Sequence, residues 1–352
     1  MKVLMVGLGG IGQRHVRNLR TLLGTNVEIL AYRSRKLPHV ITERLQIESG
    51  VSVEEKYNIQ SVADLDAGLS RAPDAVFVCN PSSLHMPVAC AAAAAGCHLF
   101  IEKPLSHNYD RIEELITLVE AKQRVAVVAY QLRFHPCLQR LHALLQEGAI
   151  GRVLAVRAEV GEYLPNWHRY EDYRQMYASR RQLGGGVILS QIHELDYLYW
   201  LFGLPRRVLA MGGHLSSLDI DVEDVASLML ECGVDGQLLP VHVHMDYVQR
   251  PPSRTCKVIG DAGKICVDFH ALTVEHFDGN GTLVETASFA GFERNRLFLD
   301  ELRHFLACVE GVQVPLIPVR EGAQSLRVAL AAQHSLSSGE VVELSATGHT
   351  PA

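Results

Sequence analysis

The sequence predicts an α/β protein of two domains: an N-terminal doubly wound parallel sheet, then a C-terminal α/β domain with a large open, mainly antiparallel sheet. The chain has 352 residues, roughly two to three times the ordinary domain size. Its first part alternates short apolar runs with segments of helical periodicity, whereas its second part joins strand-like segments by hairpin-length gaps. We place the boundary at residue 130, which gives domains 1–130 and 131–352.

Five short apolar runs in the first part are predicted as strands. Strands that are apolar on both faces are typical of a parallel sheet covered by helices on both sides. The intervening segments supply the helices, and in the last of them Ile112, Leu115 and Ile116 repeat at helical spacing. Right-handed crossovers then lead to a doubly wound sheet. The predicted strands are 2–6, 27–31, 75–79, 98–101 and 125–130, and the helices are 11–23, 84–95 and 108–122.

Seven strands and two helices are predicted in the second part. Short turn signals separate the strands, and residues 241–248 alternate between apolar and polar side chains. This alternation is typical of an antiparallel sheet with one buried and one wetted face. The predicted strands are 152–161, 207–213, 227–233, 237–248, 256–260, 265–269 and 273–277, and the helices are 293–310 and 320–337.

The composition fits a globular protein and disfavours several classes of function. Hydrophobic residues make up 48% and charged residues 20% of the chain, so a sizeable core can form. The 39 acidic residues outnumber the 33 lysines and arginines, and the net charge of −6 disfavours nucleic-acid binding through a basic surface. No apolar run approaches the ~20 residues that span a bilayer. Glycines interrupt the N-terminal apolar stretch before a signal peptide could form, so we expect no membrane association.

The eight cysteines indicate a reducing compartment. They form no Cys-x-x-Cys pair, and several lie inside apolar runs, which is typical of buried free thiols. We therefore expect a cytoplasmic protein without a metal. His242 and His244 project to one face of a predicted strand, with Asp246 in the same row, but a wetted or oligomeric sheet face explains them without a metal ion.

A glycine-rich turn follows the first predicted strand and opens the first helix. Gly7 permits the tight turn, Gly9 lets the backbone approach a pyrophosphate, and Gly12 lets helix and strand pack closely. Backbone N–H groups at the positive end of the helix then face the phosphates. The turn predicts dinucleotide binding by Gly7, Gly9, Gly10, Ile11 and Gly12.

The end of the second predicted strand indicates which dinucleotide is bound. NAD sites usually have an acidic residue there for the ribose diol, but this chain continues with Arg33, Ser34 and Arg35. The two guanidinium groups can pair with a 2′-phosphate, and the serine adds a hydroxyl donor. The sequence predicts NADP(H) in preference to NAD(H); a solvated run of surface charge is the alternative.

Further motifs lie along nearly the whole chain. They are VGLGGIGQRH (6–15), VCNPSSLH (78–85), GCHLFIEKPL (96–105), QLRFHP (131–136), GGG (184–186) followed by His193, and ELRHF (301–305). In this combination the chain resembles the Gfo/Idh/MocA oxidoreductases, relatives of glucose–fructose oxidoreductase and inositol dehydrogenase. The Glu-Lys-Pro segment is the most specific part of the likeness.

The resemblance implies a fold and a reaction. It implies an N-terminal Rossmann domain and a C-terminal α/β domain whose large open sheet many members use to form dimers or tetramers. It also implies hydride transfer between a nicotinamide and a carbon of a sugar, cyclitol or nucleotide-linked sugar. The cofactor contacts that it implies are Asn80, Pro81, His85, Glu102, Lys103 and Gln131.

Lys103 and His193 are the predicted catalytic residues. Lys103 ends a strand of the parallel sheet, where such folds bind ligands, and a partly desolvated lysine can exchange a proton with a carbinol oxygen. An exposed ion pair with Glu102 is the alternative. His193 matches the family histidine, but Ser190 stands where members commonly carry an aspartate. On a continuous helix Ser190, His193 and Tyr197 share one face. The missing carboxylate leaves a non-catalytic His193 as the alternative.

An aromatic segment precedes the three glycines. Tyr163, Trp167 and Tyr173, interleaved with arginines, suit a sugar pocket in which rings cover apolar faces and cations bind hydroxyls or phosphate. A cluster that only packs the domains together is the alternative. The predicted substrate contacts are Lys103, Arg133, Tyr163, Trp167, Tyr173, Ser190 and His193.

The sequence thus predicts a cytoplasmic, NADP-preferring oxidoreductase that acts on a sugar or sugar derivative and forms a homodimer or homotetramer through its C-terminal sheet. Two other functions stay open. One is a cofactor-retaining glycosidase of the same fold, which would show no net cofactor turnover. The other is a non-catalytic dinucleotide-binding sensor or regulatory protein, in which replacing Lys103 by alanine would change nothing.

Overall fold

The computed structural model of the chain describes residues 1–34, 39–43, 45–234 and 236–344. Two large sheets dominate it, one in each half of the chain. The first half alternates strands with helices. Its strands are β1 (Lys2–Val6), β2 (Glu28–Tyr32), β3 (Val40–Ile41), β4 (Ile47–Glu48), β5 (Ile59–Ser61), β6 (Ala75–Val78), β7 (His98–Glu102) and β8 (Ala126–Ala129), and its helices are α1 (Gly10–Leu23), α2 (Val53–Tyr57), α3 (Leu65–Leu69), α4 (His85–Ala94) and α5 (Ile112–Ala121).

The first sheet has six parallel strands in the order β5-β2-β1-β6-β7-β8. The chain starts in the middle of this sheet, moves outward through β2 and β5, and then returns to build the other half from β6. Every residue of β6 and β8 is buried, because both faces of the sheet are covered. The predicted doubly wound Rossmann sheet is confirmed. β3 and β4 pair separately as a short antiparallel ladder.

The second half contains the larger sheet and five helices. Its strands are β9 (Val153–Gly161), β10 (Arg207–Gly213), β11 (Val225–Val234), β12 (Gln237–Asp246), β13 (Ser253–Gly260), β14 (Gly263–Asp268), β15 (Thr273–Asp278), β16 (Leu283–Ser288) and β17 (Val342–Glu343), and its helices are α6 (Pro136–Gln146), α7 (Val187–Ser190), α8 (His193–Phe202), α9 (Asn295–Val309) and α10 (Val319–Ser338).

The larger sheet has nine strands in the order β16-β15-β14-β13-β9-β12-β11-β10-β17. Its neighbouring strands are antiparallel except for β9 and β12, which run parallel, so the predicted open and mainly antiparallel sheet is confirmed. Along β9, Val156, Ala158 and Val160 are buried, whereas Arg157 is exposed. One face of the sheet therefore contributes to the core and the other faces solvent.

Two helices from the end of the chain pack on the first sheet. Leu302 and Phe305 of α9 belong to the same buried cluster as Phe77 and Phe100 of the Rossmann sheet, and the Phe305 ring lies 5.6 Å and 5.4 Å from those two rings. Just before α10, the Ile317 carbonyl accepts a hydrogen bond from the backbone N–H of a β8 residue at 3.1 Å. The division of the chain at residue 130 stays a prediction.

The helix predicted after the triple glycine is broken. α7 ends at Ser190 and α8 begins at His193, because the backbone at Gln191 leaves the helical range with φ −104° and ψ 28°. The Gln191 backbone N–H still donates to the Val187 carbonyl at 3.0 Å, and its side-chain amide donates to the Asp246 carbonyl at 3.4 Å. The expectation that residues 190, 193 and 197 share one continuous helix face was therefore wrong. Within the described ranges, no helix is both long enough and apolar enough to cross a bilayer.

Candidate active site

The glycine turn joins β1 to α1, and close packing requires its first and third glycines. Gly7 has φ 98°, and a Cβ there would lie 2.6 Å from the Cys79 carbonyl oxygen. A Cβ on Gly12 would clash with the Gly7 carbonyl oxygen. These two positions therefore exclude a side chain, as the sequence predicts.

The middle of the turn is open. A Cβ on Gly9 would meet no described atom within 4 Å. Gly9 is also the N-terminal cap of α1; no described side chain caps this helix, and its first turn, which includes Gly10 and Ile11, carries no acidic residue. Beside Gly9, the first backbone N–H groups of α1 therefore face open space. This is the arrangement that an anionic phosphate group occupies at a helix N-terminus, so the turn fits a dinucleotide.

At the end of β2, the guanidinium of Arg33 lies 2.6 Å from Glu54 Oε1, and the Arg33 side chain is mostly buried. Ser34 is exposed. Arg35 lies outside the described residues. The position where NAD sites usually carry an acidic side chain is therefore occupied by a cation that a neighbouring carboxylate holds in place.

The loops after β6 and β7 are tied together by His85. Its Nδ1 and Nε2 each lie 2.9 Å from a backbone carbonyl oxygen, that of Pro104 and that of Asn80, and the ring is buried. Both ring nitrogens lie at hydrogen-bond distance from backbone carbonyls, so His85 positions the two loops, and its contact with the cofactor stays a prediction. Asn80 and Pro81 lie at the carboxyl end of the parallel sheet, where ligands bind in such folds, and their contact with the cofactor stays a prediction.

Glu102 is held from the first helix. Its Oε1 lies 2.6 Å from Nε2 of the fully buried His15, and its Oε2 accepts a hydrogen bond from the backbone N–H of Lys103 at 3.3 Å. The His15 ring packs edge-on against Phe100 at 4.9 Å. Glu102 therefore orients the backbone of Lys103, while its predicted contact with the cofactor is untested. The role of His15 was missed, although it stands three residues after the last glycine of the turn.

Lys103 lies at the junction of the two domains. Its Nζ donates a hydrogen bond to the backbone carbonyl of Ser190 at 2.8 Å, and the side chain is half-buried. It follows the last residue of β7, at the same end of the parallel sheet as the glycine turn. The structure thus brings together Lys103 and the start of the second domain's helical segment. An exposed ion pair between Lys103 and Glu102 is absent from the described contacts.

His193 lies beside this lysine with one ring nitrogen unsatisfied. The side-chain amide nitrogen of Gln131 lies 3.2 Å from His193 Nε2. Since an amide nitrogen only donates, Nε2 accepts and the proton of the neutral ring is placed on Nδ1. His193 Nδ1 is buried and makes no hydrogen bond in the described part of the chain. A buried donor of this kind is satisfied when a ligand oxygen binds.

Burial, together with neighbouring cations, keeps His193 neutral. Burial, followed by the neighbouring cations Lys103, Arg254 and Arg294, holds the pKa of His193 well below its ordinary value of 6.5. Protonation would add a positive charge to a buried site that already faces these cations. The neutral imidazole is therefore a hydrogen-bond donor through Nδ1 at neutral pH.

Arg133 is committed to the protein interior. Its guanidinium donates two hydrogen bonds to Asp196, at 3.0 Å and 2.7 Å, and Ser325 donates a third to the same carboxylate at 2.8 Å. Arg133 is 2% exposed and Asp196 is fully buried. This geometry favours a structural role for Arg133, because its guanidinium is paired with Asp196 and shielded from solvent; its contact with the substrate stays a prediction.

In the aromatic segment, Tyr173 is held by packing contacts, whereas Trp167 has a hydrogen-bond donor without a described partner. The Tyr173 hydroxyl accepts a hydrogen bond from the backbone N–H of Asp219 at 3.2 Å, which anchors the segment and favours the packing alternative for this residue. The Tyr163 ring lies under the Arg250 guanidinium at 4.0 Å. Trp167 packs edge-on against another ring, and its Nε1 is buried without a hydrogen-bond partner among the described residues. Substrate contact by Tyr163 and Trp167 stays a prediction.

A second buried ion pair supports the site and was missed. Arg254 donates two hydrogen bonds to Glu194, at 2.7 Å and 2.8 Å, directly after His193 in the chain. Glu194 is fully buried. The pair fixes the first turn of α8 and so the backbone of the histidine. No local signal could have found it, because β13 supplies the arginine.

The polar row of His242, His244 and Asp246 on the larger sheet does not form a described metal site. Ser227 Oγ lies 2.8 Å from His244 Nδ1, and His244 Nε2 lies 3.4 Å from a carboxylate oxygen of Asp246. Among the residues that the structure describes, no three histidine, cysteine or acidic side chains are placed to hold a metal ion. Polar neighbours on the open sheet face account for the row.

Two family models match the chain. Residues 1–130 match an oxidoreductase family with an NAD-binding Rossmann fold, and residues 138–266 match the Gfo/Idh/MocA C-terminal domain. The chain belongs to the Gfo/Idh/MocA oxidoreductase family. It is an NAD-binding oxidoreductase, and the predicted family is confirmed.

Similar proteins cover most of the chain. A myo-inositol 2-dehydrogenase of Thermotoga maritima is 26% identical over 98% of both chains. A D-xylose 1-dehydrogenase [NADP(+)] of Haloarcula marismortui is 25% identical over 78% of this chain and 73% of its own. The structure of the WlbA dehydrogenase from Bordetella pertussis, in complex with NADH and UDP-GlcNAcA, has a TM-score of 0.77 and 23% identity over 98% of this chain and 99% of its own. The last likeness shows a shared fold.

Proposed function

We propose that this Gfo/Idh/MocA protein is an NAD(P)-dependent dehydrogenase or reductase that transfers a hydride between nicotinamide and a hydroxyl-bearing carbon of a sugar, cyclitol or nucleotide sugar. The observation that carries the proposal is the pairing of Lys103, held by the Ser190 carbonyl, with a neutral His193 whose Nδ1 lacks a partner. Two such donors on one cleft suit a single substrate oxygen. The names of the inositol and xylose dehydrogenases support the substrate class.

The protein's own groups hold the oxygen and its proton. The nicotinamide, when bound, supplies the position that gains or gives the hydride. Lys103 Nζ donates one hydrogen bond to the Ser190 carbonyl. The rest of the amine is available to the substrate oxygen. In the oxidative direction Nζ, as the free amine, takes the hydroxyl proton, and in the reductive direction the ammonium returns it. His193 Nδ1–H donates to the same oxygen and stabilises the negative charge that develops there.

The test compares Lys103→Met and Lys103→Arg with wild-type protein on a panel of polyols, aldoses and nucleotide sugars. We expect kcat to fall by about 10²- to 10⁴-fold in Lys103→Met, because the proton-transfer group is lost, while NAD(P)H affinity changes little. Lys122→Met removes an exposed lysine and is the matched control. Unchanged kcat in Lys103→Met would contradict the proposal.

The same panel separates the other functions. Cofactor binding without turnover of any sugar, in wild type and variant alike, would favour a dinucleotide-binding sensor. Glycoside cleavage with no net change in NADPH would favour a cofactor-retaining glycosidase. Both readouts use the full chain, and bound cofactor is followed by the fluorescence of the reduced nicotinamide.

We also propose that NADP(H) is preferred over NAD(H). Arg33 supports this, because it directly follows β2, where an acidic residue would favour the ribose diol, and Glu54 holds its guanidinium in place. Ser34 beside it is exposed and adds a hydroxyl. Arg33→Ala should raise the Kd of NADPH about tenfold or more and that of NADH by much less. The exposed Arg71→Ala is the control. Equal weakening of both cofactors would refute the assignment.

The open face of the nine-stranded sheet supports the proposal of a homodimer or homotetramer. Met211 of β10 and Met229 of β11 lie on this face and are 73% and 47% exposed. Large exposed apolar side chains of this kind favour an interface. We propose a cytoplasmic location as well, supported by eight cysteines that are all free. Light scattering of the purified chain measures the oligomeric state, and a monomer at micromolar concentration would contradict the proposed homodimer or homotetramer.

A further inference from the structure

A residue of the second domain reaches the glycine turn. If a Cβ is placed on Gly10, the first residue of α1, the hydroxyl oxygen of Tyr170 is its nearest neighbour at 2.5 Å, and the Cζ atom of the same ring follows at 3.6 Å. The next atom is a methyl group of Ile41 at 4.0 Å. The Tyr170 phenol therefore lies beside Gly10 at the uncapped N-terminus of α1, next to the place where the phosphates of a dinucleotide fit.

The phenol is presented by a fixed segment rather than by a free side chain. The Tyr170 ring stacks on His168, with ring centres 5.1 Å apart and planes 18° apart. His168 Nδ1 lies 3.0 Å from Glu171 Oε1, which ties the stack to the next turn of the chain. Earlier in the segment, the Leu164 backbone N–H donates to the Tyr247 carbonyl at 3.0 Å. The second domain therefore holds Tyr170 across the cleft.

The Tyr170 hydroxyl is a protonated hydrogen-bond donor. Burial, with the charge of Glu171 as the next influence, raises the pKa of Tyr170, so the phenol is a donor at every working pH. Its hydroxyl makes no hydrogen bond to any described residue. Arg14, one turn further along α1, lies close enough to oppose this shift, so a cation also faces the same place. A free O–H donor beside bare N–H groups and a guanidinium is an environment for phosphate oxygens.

We propose that Tyr170 is a cofactor-binding residue that the second domain contributes to the first: its hydroxyl donates a hydrogen bond to the pyrophosphate of the dinucleotide seated on the turn at Gly9 and Gly10. The phosphates are then held by backbone N–H groups on one side and by the phenol on the other. The inference depends on the dinucleotide site alone and not on the sugar chemistry proposed above, so a failed substrate screen leaves it intact.

The first test is the affinity of full-length Tyr170→Phe for NADH and NADPH, measured by fluorescence titration and stopped-flow release. Loss of one hydrogen bond to a charged group should raise Kd by about tenfold or more, mainly through faster dissociation. ADP-ribose carries the pyrophosphate without the nicotinamide, so its Kd should rise by the same factor. Tyr109→Phe, which removes a surface hydroxyl bonded to Glu113, is the control and should bind as wild type.

The second test couples Tyr170 to Gly10. In wild-type protein Gly10→Ala places a methyl group against the phenol oxygen and should weaken binding, because Tyr170 must move away. In the Tyr170→Phe background that oxygen is gone and the nearest ring atom is 3.6 Å away, an ordinary contact, so the same substitution should have little further effect. The two changes should therefore be strongly non-additive.

Three outcomes would overturn the proposal. Unchanged or tighter cofactor binding by Tyr170→Phe would mean that the phenol obstructs the site or stands beside it. A loss of affinity for NADH but not for ADP-ribose would place Tyr170 at the nicotinamide end. Additive effects of Gly10→Ala and Tyr170→Phe would show that the two residues do not share the bound group. Circular dichroism of each variant separates these results from misfolding.

Discussion

The buried pair of Arg133 and Asp196 gives the sharpest prediction about stability. Asp196→Asn keeps the shape of the side chain and removes its charge, so it leaves the guanidinium, which is 2% exposed, without a counterion. The carboxylate accepts two hydrogen bonds from Arg133 and one from Ser325. Breaking a buried pair in this way costs about 3–5 kcal/mol, and the hydrogen bond that asparagine retains places the expected loss near 3 kcal/mol.

Urea unfolding measures this loss. Trp200 lies 5.8 Å from the Arg133 guanidinium, so its fluorescence reports on the same region, and circular dichroism follows the whole chain. Asp300→Asn is the control, because Asp300 pairs with Arg303 on the surface of α9, where such a pair contributes ~0–1 kcal/mol. If Asp196→Asn unfolds at the wild-type urea concentration but raises the KM for a sugar, Arg133 contacts substrate after all and the structural role is wrong.

Two further predictions concern Gly12 of the glycine turn and His135, the N-terminal cap of α6. Gly12→Ala should abolish NADH binding in a fluorescence titration, because the new methyl group clashes with the Gly7 carbonyl; binding within threefold of wild type would show that the turn can relax. Burial, then Arg254, lowers the pKa of His135 to about 4, against 6.5 in the unfolded chain. The unfolded state therefore takes up a proton first as the pH falls from 6.5 towards 4, and the folded state loses about 2–3 kcal/mol by pH 4.5. His135→Asn keeps an acceptor at the start of α6 and should remove that part of the pH dependence of unfolding; an unchanged slope would contradict this.

Much of the fold could be predicted because its signals are local. The strand at 207–213 and the first strand were predicted with the bounds that the structure gives, since each is a short apolar or alternating run with a turn signal beside it. β5 was missed because one of its three residues is buried and the others are exposed, which leaves no pattern to detect. The break between α7 and α8 was missed because residues 187–197 contain no glycine or proline that would mark the end of a helix.

The candidate site was predictable where a motif carries it. Lys103 could be found from the Glu-Lys-Pro segment, and the structure places its amine against the Ser190 carbonyl of the second half of the chain. Arg133 stands in a matching motif as well, but its partner Asp196 comes from a helix far along the chain, so its commitment to the interior cannot be read locally. The aromatic neighbours of Tyr170 were selected from the sequence, and Tyr170 itself was not. The feature that distinguishes Tyr170 is its proximity to Gly10, which is far away in the chain.

The position of α9 has a consequence for biosynthesis. Leu302 and Phe305 fill the pocket that Phe77 and Phe100 leave on the Rossmann sheet, although some 200 residues separate them from those rings in the chain. While the ribosome is still translating the second half, the nascent first half exposes this aromatic surface and cannot reach its final packing. Closing so long a loop is entropically costly and slow. The packing of this face of the Rossmann sheet is therefore completed only after α9 has been synthesised.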